Sequence, residues 1–348
     1  ASYGVVRLRG RLDHLLSLHV RNGLESLDGP VLDVLRLGAY QLFYMDTVPS
    51  YAAVSETVDL ARAAGLGRAS GLVNAVLRAL QREGDGEERF PSFDKDPLAY
   101  LTTWGSHPEW LIRRWLERWS PEQVRRLVEE DNRIPALFLR PLGRDPDLQD
   151  ARARLAAAGV DVAASHDAPG VLELASGASL TAALAAVPCQ VQDPGAALVV
   201  RFVEPPEDGL IADLCAAPGG KAMGLAGSDR MVVAADPSAV RLRRVRQNAR
   251  RLGVPVWPVQ ALAQNPPIPA ARVVLLDVPC SGTGTFRRHP DGRWRLEPEV
   301  VTTLGDLQHE ILEGAAAVVE EGGLLIYSTC TLEPEENEEQ VRRFLGRH

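Results

Sequence analysis

The sequence predicts a multidomain chain in which an all-α bundle and a small α+β domain precede an α/β domain with a doubly wound parallel sheet. Its 348 residues exceed the length of about 100–200 residues that is typical of one domain. Apolar residues recur at helical spacing over residues 1–90, whereas from about residue 190 short apolar runs alternate with helical stretches. The second pattern is typical of a parallel sheet covered by helices on both faces.

The composition excludes a disordered or membrane-spanning chain. Hydrophobic residues make up 45% of the sequence and charged residues 24%, so each domain can bury a core. No uncharged apolar run reaches the roughly 18 residues that a transmembrane helix needs, and the first residues lack the layout of a signal peptide. We therefore expect a cytoplasmic protein without a membrane partner, and we expect it to be a monomer.

The four cysteines, at positions 189, 215, 280 and 330, are expected to be free thiols. No C-x-x-C pair exists and the histidines are scattered, so we expect no zinc or other metal site. A disulfide framework is not expected in a chain of this length without a secretion signal.

The first predicted domain covers residues 1–90 and consists of helices. The segments 31–42, 52–64 and 71–78 have helical apolar spacing, and glycines between and after them act as breakers.

The second predicted domain covers residues 97–189 and is α+β. Its predicted elements are a helix over 108–131, a strand over 136–139, a helix over 147–158 and two short strands over 160–163 and 171–174.

The third predicted domain covers residues 190–348 and carries the parallel sheet. Its buried strands are predicted at 210–214, 231–235, 273–276 and 324–327, and its helices at 221–227, 238–251 and 299–320. In an open sheet of this kind, ligands bind at the carboxyl ends of the strands.

The segment 213–221, which reads D-L-C-A-A-P-G-G-K, follows the first of these strands. Small residues and paired glycines allow a tight turn and a close approach of the backbone to a ligand. The segment is not a G-x-G-x-x-G loop. It is not a Walker loop either, because Cys215 and Ala222 stand where that loop needs Gly and Ser or Thr. The structural alternative is a plain glycine turn with a surface lysine.

Asp236 ends the second strand, and two interpretations remain open for it. An acid at this place commonly binds ribose hydroxyls. The residue could equally be the N-cap of the helix that begins near Ser238.

The ends of the third and fourth strands carry thiols, in D-V-P-C at 277–280 and in Y-S-T-C at 327–330. A lone cysteine at a strand end is usually a small buried hydrophobic residue. Two thiols at the edge of the ligand loop, one of them beside the carboxylate of Asp277, favour covalent chemistry on an electrophilic nucleobase.

These motifs resemble those of the Sun/RsmB-type RNA (cytosine-C5) methyltransferases, which use S-adenosyl-L-methionine. The matching segments are D-L-C-A-A-P-G-G-K at 213–221, D-V-P-C-S-G-T-G at 277–284, R-R-H-P-D-G-R-W at 287–294 and Y-S-T-C-T-L-E-P-E-E-N at 327–337. Upstream, the segments 35–42 and 71–78 resemble the NusB-like RNA-binding domain of the bacterial branch. The segments 108–111 and 191–194 resemble the connecting domain, so the resemblance covers essentially the whole chain.

The resemblance implies a NusB-like all-α bundle, a connecting domain and a Rossmann-like class I methyltransferase domain. It implies methyl transfer to C5 of a cytosine in ribosomal RNA, and the amino-terminal domain points by analogy to the small subunit. It also implies further helix before Tyr3 and a strand pair after residue 348, so the chain is expected to be truncated at both ends.

The resemblance further implies a role for each matching residue. Cys330 is expected to attack C6 of cytosine as a thiolate, and Cys280 to assist loss of the C5 proton and release of the enzyme. Asp277 is expected to bind the base edge, and Pro279 to shape the pocket. The residues expected to bind the cofactor are Cys215, Ala216, Ala217, Pro218, Gly219, Gly220, Lys221, Asp236 and Asp277. The residues expected to contact RNA, besides Pro279, are Arg287, Arg288 and His289, although His289 could instead order its loop.

Two departures from the family pattern leave a second function open. Relatives usually carry an acid that contacts the adenine amino group, and the matching stretch 259–262 has none. With the expected truncation, this allows a non-catalytic RNA-binding or assembly protein on a methyltransferase scaffold.

The acids between Glu333 and Glu339 are expected to form a charge cluster at a helix start, and Asn337 is expected to help position the strand that carries Cys330.

The charge distribution bears on the substrate. With 38 basic and 46 acidic residues the formal charge is −8, which by itself argues against a polyanionic partner. The stretch 230–295, however, contains 12 arginines and three acids. Arginine pairs well with phosphate, so the local charge favours RNA.

Overall fold

A computed structural model gives the conformation of residues 1–142, 147–206, 208–226 and 230–348. The chain divides into two compact units. Unit 1 comprises Ala1–Ile134 and Thr283–Pro298, and unit 2 comprises Pro135–Gly282 and Glu299–His348. The segment 283–298 is therefore part of unit 1, although it lies far along the sequence from the rest of that unit.

Unit 1 is helical. Its helices are α1 (Ser2–Arg7), α2 (Arg9–Ser17), α3 (Gly29–Tyr44), α4 (Ser50–Ala63), α5 (Ser70–Glu83), α6 (Pro97–Thr103), α7 (Glu109–Leu116), α8 (Pro121–Asn132) and, in the late segment, α14 (Gly292–Arg295). Leucines from several of them, including Leu12, Leu35 and Leu77, are fully buried in one core. The bundle predicted from apolar spacing is confirmed.

The single helix predicted over 108–131 is wrong, because α7 and α8 are separate helices with a break between them. The Ser120 hydroxyl accepts a hydrogen bond from the Gln123 backbone N–H, and the Gln123 side chain accepts one from the Ser120 N–H. This capping box, with Pro121 in the first turn, starts a new helix.

Arg293 anchors the late segment within unit 1. Its side chain is fully buried. Its guanidinium donates hydrogen bonds to the carbonyl oxygens of Ser106 and Asp131, both at 3.1 Å, and to the Asn132 side chain at 2.8 Å. Burial lowers the pKa of Arg293 to about 10, so the group remains charged at neutral pH and needs these acceptors.

Unit 2 begins with a four-stranded antiparallel sheet of order β2-β3-β1-β4. Its elements are β1 (Leu137–Pro141), α9 (Leu148–Ala157), β2 (Val162–Ala164), β3 (Leu172–Leu174), α10 (Leu180–Ala186) and β4 (Cys189–Val191). Strands β1, β2 and β3 and helix α9 begin and end within a few residues of the predicted ranges. Helix α10 and strand β4 were not predicted.

The remainder of unit 2 is built on a five-stranded parallel sheet of order β7-β6-β5-β8-β9. Its elements are α11 (Pro194–Val203), β5 (Ile211–Asp213), α12 (Gly220–Ala226), β6 (Val232–Asp236), α13 (Ala239–Leu252), β7 (Val256–Gln260), β8 (Ala271–Asp277), α15 (Pro298–Ala316), β9 (Val319–Ser328) and α16 (Glu338–Leu345). The predicted doubly wound fold is confirmed. Strand order reverses between β5 and β8, and in such sheets the crevice at this point is where ligands bind.

Three details of this sheet differ from the prediction. The edge strand β7 is not among the four predicted runs, and Pro258 within it suits an edge position. Strand β9 begins at Val319, so the helix predicted over 299–320 ends earlier, and the polar and glycine residues 320–323 hid the start of the strand. The helix predicted over 221–227 is observed up to Ala226, and residue 227 lies outside the described residues.

Within the described part of the chain, no helix combines the length and the apolar character needed to cross a bilayer. The same residues contain no group of three or more His, Cys, Asp or Glu side chains placed to hold a metal ion.

Candidate active site

The turn between β5 and α12 lies at the carboxyl edge of the parallel sheet. The backbone N–H of Ala216 donates a 2.9 Å hydrogen bond to the carbonyl of Ala235 on β6, which fixes the turn against the neighbouring strand. Gly219 has a φ angle of 105°, a conformation that favours glycine. A Cβ atom there would lie 3.0 Å from Met223. The buried turn therefore favours glycine at position 219, mainly because of its backbone conformation.

Asp236 is buried at the end of β6. One carboxylate oxygen accepts a 2.8 Å hydrogen bond from the Ser238 N–H, and the other lies 3.2 Å from a guanidinium nitrogen of Arg241. The N-cap of α13 is Ser238, whose hydroxyl accepts the N–H of Arg241. The interpretation of Asp236 as the N-cap is therefore wrong, and its ribose-binding role stays a prediction.

Lys221 forms an ion pair with Asp277 across the edge of the sheet. The Lys221 Nζ atom lies 2.6 Å from Oδ2 of Asp277, and only 15% of the lysine side chain is exposed to solvent. Lys221 is therefore not a surface lysine, whereas the cofactor-binding role of the turn stays a prediction. The second Asp277 oxygen accepts a hydrogen bond from the Ser328 hydroxyl at 3.4 Å, so Asp277 joins the ends of β8 and β9.

Asp213 is a second acid at this edge, and sequence reasoning did not assign it to the site. It is buried at the end of β5. Burial, together with the nearby Asp277 carboxylate, raises the pKa of Asp213 to about 7, although Lys221 acts in the opposite direction. Its position as first residue of the 213–221 motif was the signal that could have found it. A group that titrates near neutral pH beside a ligand turn is a candidate functional residue.

The two predicted cysteines are in contact. The Sγ atoms of Cys280 and Cys330 lie 3.2 Å apart, and the backbone N–H of Cys330 donates to the Cys280 sulfur at 3.3 Å. Cys330 is exposed and Cys280 is half-buried. The structure thus brings together the thiols, Asp277 and Lys221 at one edge of the sheet, where the residues predicted to bind the cofactor also lie.

The shared hydrogen bond polarises the two thiols in opposite directions. Accepting it lowers the pKa of Cys330, although burial opposes this effect. Donating it raises the pKa of Cys280, and burial adds to the increase. The arrangement therefore favours a thiolate at Cys330 beside a protonated Cys280. Cys215 is unlike them, because burial and the Asp213 carboxylate raise its pKa, which keeps it an unreactive thiol.

Glu336, a residue that sequence reasoning did not assign to the site, fixes the loop that carries Cys280. Its carboxylate is fully buried. One oxygen accepts hydrogen bonds from the Ser281 N–H at 2.8 Å and from the Gln308 side chain at 2.9 Å, and the other accepts the Ser281 hydroxyl. Gln308 also donates to the Pro279 carbonyl at 2.9 Å. Both neighbours of Cys280 are therefore held in place.

Asn337 holds the loop that carries Cys330 in place by hydrogen bonds. Its side-chain oxygen accepts the Thr329 hydroxyl at 2.6 Å, and its amide donates to the carbonyls of Thr331 and Glu333 at 3.1 and 3.0 Å. The expectation that Asn337 positions this segment is confirmed.

The charge cluster expected at the start of the last helix is wrong in part. Glu333 and Glu336 are fully buried, and only Glu338 and Glu339 are acids in the first turn of α16.

The residues predicted to contact RNA are divided between the units. Pro279 is exposed in unit 2, next to Cys280. Arg287, Arg288 and His289 belong to unit 1. Within that unit the Arg287 guanidinium lies 3.5 Å from Glu130, and His289 is exposed. Their role toward RNA stays a prediction.

Comparison with known proteins places this geometry in a family. The family model described as 16S rRNA methyltransferase RsmB/F matches residues 200–348, the NusB family matches residues 1–82, and the RsmF/B-like ferredoxin-like domain matches residues 107–181. A probable ribosomal RNA small subunit methyltransferase B from Synechocystis sp. is 35% identical over 99% of this chain and 79% of its own length. The chain belongs to the RsmB/F family of 16S rRNA methyltransferases.

Solved structures agree with this membership in fold. The crystal structure of PH0851 has a TM-score of 0.82 and 25% identity, covering 99% of this chain and 79% of that one. The crystal structure of NSun6 from Pyrococcus horikoshii with SFG has a TM-score of 0.60 and 20% identity, covering 69% of this chain and 87% of that one. The family resemblance and the fold class predicted from the RsmB/F motifs are confirmed.

Proposed function

We propose that this RsmB/F family member transfers a methyl group from S-adenosyl-L-methionine to C5 of a cytosine in small-subunit ribosomal RNA, through a covalent bond between Cys330 and C6 of the base. The observation that carries the proposal is the 3.2 Å contact between the sulfur atoms of Cys280 and Cys330. Chemistry on a base through a sulfur adduct needs one nucleophilic and one proton-carrying group, and the contact supplies both.

The residues at the sheet edge fit the proposed cofactor. Gly219 has a positive φ, and a Cβ atom on Gly220 would lie 3.2 Å from the Gln190 side chain, so the turn is compact and brings backbone rather than side chains to the edge of the sheet. The buried carboxylate of Asp236 stands where an acid can bind ribose hydroxyls. When bound, S-adenosyl-L-methionine supplies an electrophilic methyl group on its sulfonium sulfur. We assign Cys215–Lys221, Asp236 and Asp277 to its binding.

Cys330 makes the first bond of the proposed reaction. Its thiolate attacks C6 of cytosine, a sulfur–carbon bond forms, and the electron pair of the C5–C6 double bond moves to C5. C5 then forms a bond to the methyl carbon as the sulfonium–methyl bond breaks. Because a free thiol is only a few per cent thiolate at neutral pH, the hydrogen bond from Cys280 serves to hold Cys330 in its reactive form.

Cys280 and Asp277 complete the proposed reaction. Once Cys330 is bound to C6, Cys280 no longer shares its proton with a thiolate; after methyl transfer Cys280, having released its own proton to solvent, accepts the C5 proton. The electrons of the C5–H bond re-form the C5–C6 double bond, and the bond between C6 and sulfur breaks to return the Cys330 thiolate. Asp277 binds the base edge, where a carboxyl group favours protonation at N3 and so helps C6 to accept the sulfur. Its ion pair with Lys221 fixes its orientation.

The proposal is tested by incubating the full chain with small-subunit ribosomal RNA and S-adenosyl-L-methionine labelled at the methyl group. We expect label in RNA, at a cytosine that bisulfite sequencing then reads as protected. RNA binding without label transfer, together with no detectable cofactor binding by calorimetry, would contradict the proposal and support a non-catalytic RNA-binding scaffold.

A further inference from the structure

We infer that the exposed face of helix α13 binds the phosphate backbone of the substrate RNA. This inference rests on the proposed function, because it takes RNA to be the substrate. The surface consists of Arg243, Arg244, Gln247 and Arg250, and is called the arginine face below.

The charge of this region is unlike that of the whole chain. The protein has a net charge of −8, yet residues 237–276 contain no Asp or Glu. Helix α13 alone carries six arginines and no acid. Neutralising several phosphates by arginine is what drives binding of RNA by proteins.

The packing of α13 separates its apolar and basic sides. Leu242, Val245, Ala249 and Leu252 are buried against the parallel sheet. The arginine face points away from this core, since its members lie on the opposite side of a helix with 3.6 residues per turn. Arg243, Arg244 and Arg250 are exposed, and no described residue forms an ion pair with them.

Several other helices pair some of their exposed arginines with acids of the same helix. The exposed ion pairs at spacing i,i+3 or i,i+4 include Arg62–Asp59 on α4, Arg113–Glu109 on α7 and Arg125–Glu129 on α8. On α13 the corresponding spacings bring arginines together, at 243 and 246 and at 246 and 250, and such pairs of like charge destabilise a helix. A merely solvated helix has no reason to concentrate them, whereas a polyanion removes the repulsion.

The amino end of α13 lies at the edge of the parallel sheet where the strands end, which is also the edge that carries the thiols. Its first turn adjoins the proposed cofactor turn, because Arg241 donates a hydrogen bond to the Ala217 carbonyl and pairs with Asp236. Because β6 and β7 are parallel, the helix runs from there back along the sheet toward the amino ends of the strands, over 14 residues or about 21 Å, so RNA on the arginine face would lie along the side of this domain. RNA is favoured over an acidic protein because RNA presents regularly spaced phosphates to a row of guanidinium groups, which bind phosphate well.

The test compares two sets of three substitutions in the full chain. The test variant carries Arg243→Gln, Arg244→Gln and Arg250→Gln. The control variant carries Arg152→Gln, Arg201→Gln and Arg342→Gln, which remove three exposed charges from other helices of unit 2. The dissociation constant for small-subunit ribosomal RNA is measured against salt concentration without cofactor, so the result does not depend on methyl transfer.

We expect the test variant to bind RNA at least about tenfold more weakly near 0.15 M salt, with the slope of log K against log salt reduced by about 2. The control variant should stay within about twofold of the parent. The corresponding triple Arg→Lys variant should recover most of the affinity, because it keeps the charge. The three single variants give the same comparison should the triple variant fold poorly. Equal affinity and slope for parent and test variant would overturn the inference, and an acidic protein would then become the candidate partner.

The inference and the proposed function can fail separately. Loss of RNA affinity in the test variant would stand even if the parent transferred no methyl group. Conversely, with an active parent, we expect KM for RNA to rise in the test variant while kcat at saturating RNA stays within about twofold.

Discussion

The side-chain hydroxyls of Ser281 and Thr331 lie 2.7 Å apart, and these two residues directly follow Cys280 and Cys330. Because the Ser281 hydroxyl donates to Glu336, the Thr331 hydroxyl is the donor in the bond between them. The two loops that carry the thiols are therefore joined beside the sulfur atoms. A site held by hydrogen bonds on both sides keeps the distance that its chemistry needs.

Substitution of Glu336 by Gln should weaken this arrangement. An amide has one acceptor atom, so it can accept either from the Ser281 N–H and Gln308 or from the Ser281 hydroxyl, but not from all three, and we expect loss of about 1–3 kcal/mol of unfolding free energy. We also expect methyl transfer to slow by about tenfold or more, because the thiols lose alignment. Glu339→Gln, at an exposed acid nearby, is the control and should change neither quantity. Wild-type rates in the Glu336 variant would show that its hydrogen bonds do not position Cys280.

The chain contains only two lysines, Lys221 and Lys95, which provide a matched pair of variants. Lys221→Met removes the cation 2.6 Å from Asp277 and should lower methyl transfer by about a hundredfold, within the range seen for groups that stabilise charge at a reacting centre. It should also raise the pKa of Asp213 further, because Lys221 opposes that increase. The exposed Lys95→Met should leave the rate unchanged. Equal rates in the two variants would contradict a role for the Lys221–Asp277 pair.

The raised pKa of Asp213 predicts a pH dependence of stability. A carboxyl group whose pKa is about 7 in the folded state and near 4 in the unfolded state stabilises the fold below pH 4, and this contribution is lost as pH rises through 7. Without cofactor, the unfolding free energy should fall by about 3 kcal/mol more between pH 5 and 7.5 in the parent than in Asp213→Asn, which cannot ionise. Parallel pH profiles from denaturant titration would rule out a protonated Asp213.

Arg293 offers a test of the fold of unit 1. Arg293→Met leaves the Ser106 and Asp131 carbonyls and the Asn132 side chain without their buried donor. We expect a loss of about 3–5 kcal/mol, as for other buried charged groups whose partners remain. Arg295→Met, which removes only an exposed pair with Asp291, should cost less than about 1 kcal/mol. Similar thermal unfolding of the two variants would argue against Arg293 as the anchor.

The sequence alone predicted those site residues whose motif lies within one short segment of the chain. Gly219 and the two cysteines follow apolar strands and Asp236 ends one, and parallel strands bring their carboxyl ends to one edge. The alternation of strands and helices was therefore enough to predict that these residues lie together. The run at 324–327 was predicted to be buried, but no residue of β9 is buried and Leu324 is 43% exposed. The sequence did not predict which interpretation applies to Asp236, because a cap and a ligand-binding acid share the same local pattern.

The parts that it did not predict depend on contacts between distant segments. Glu336 lies in an acid-rich stretch that resembles a solvated helix start, and only its contacts with Ser281 and Gln308 show why one acid of that stretch is buried. Arg293 lies in a motif assigned to the substrate, yet its guanidinium is buried among residues of unit 1. Burial of a charged group is decided by partners far along the chain, which local patterns do not contain.

The central claim is that Cys330 forms the bond to the base and that Cys280 is needed to break it. In Cys280→Ala the first bond can form, but proton removal and release of the enzyme are impaired. We therefore expect a covalent complex with RNA to accumulate, whereas Cys330→Ala should give no complex and no methyl transfer.

The most direct measurement is mass spectrometry of the peptide cross-linked to RNA after Cys280→Ala has reacted with small-subunit ribosomal RNA and S-adenosyl-L-methionine. We expect a nucleotide attached to the sulfur of Cys330, and no complex in the double variant Cys280→Ala, Cys330→Ala. Normal turnover by Cys280→Ala, or a nucleotide attached at another residue, would contradict it.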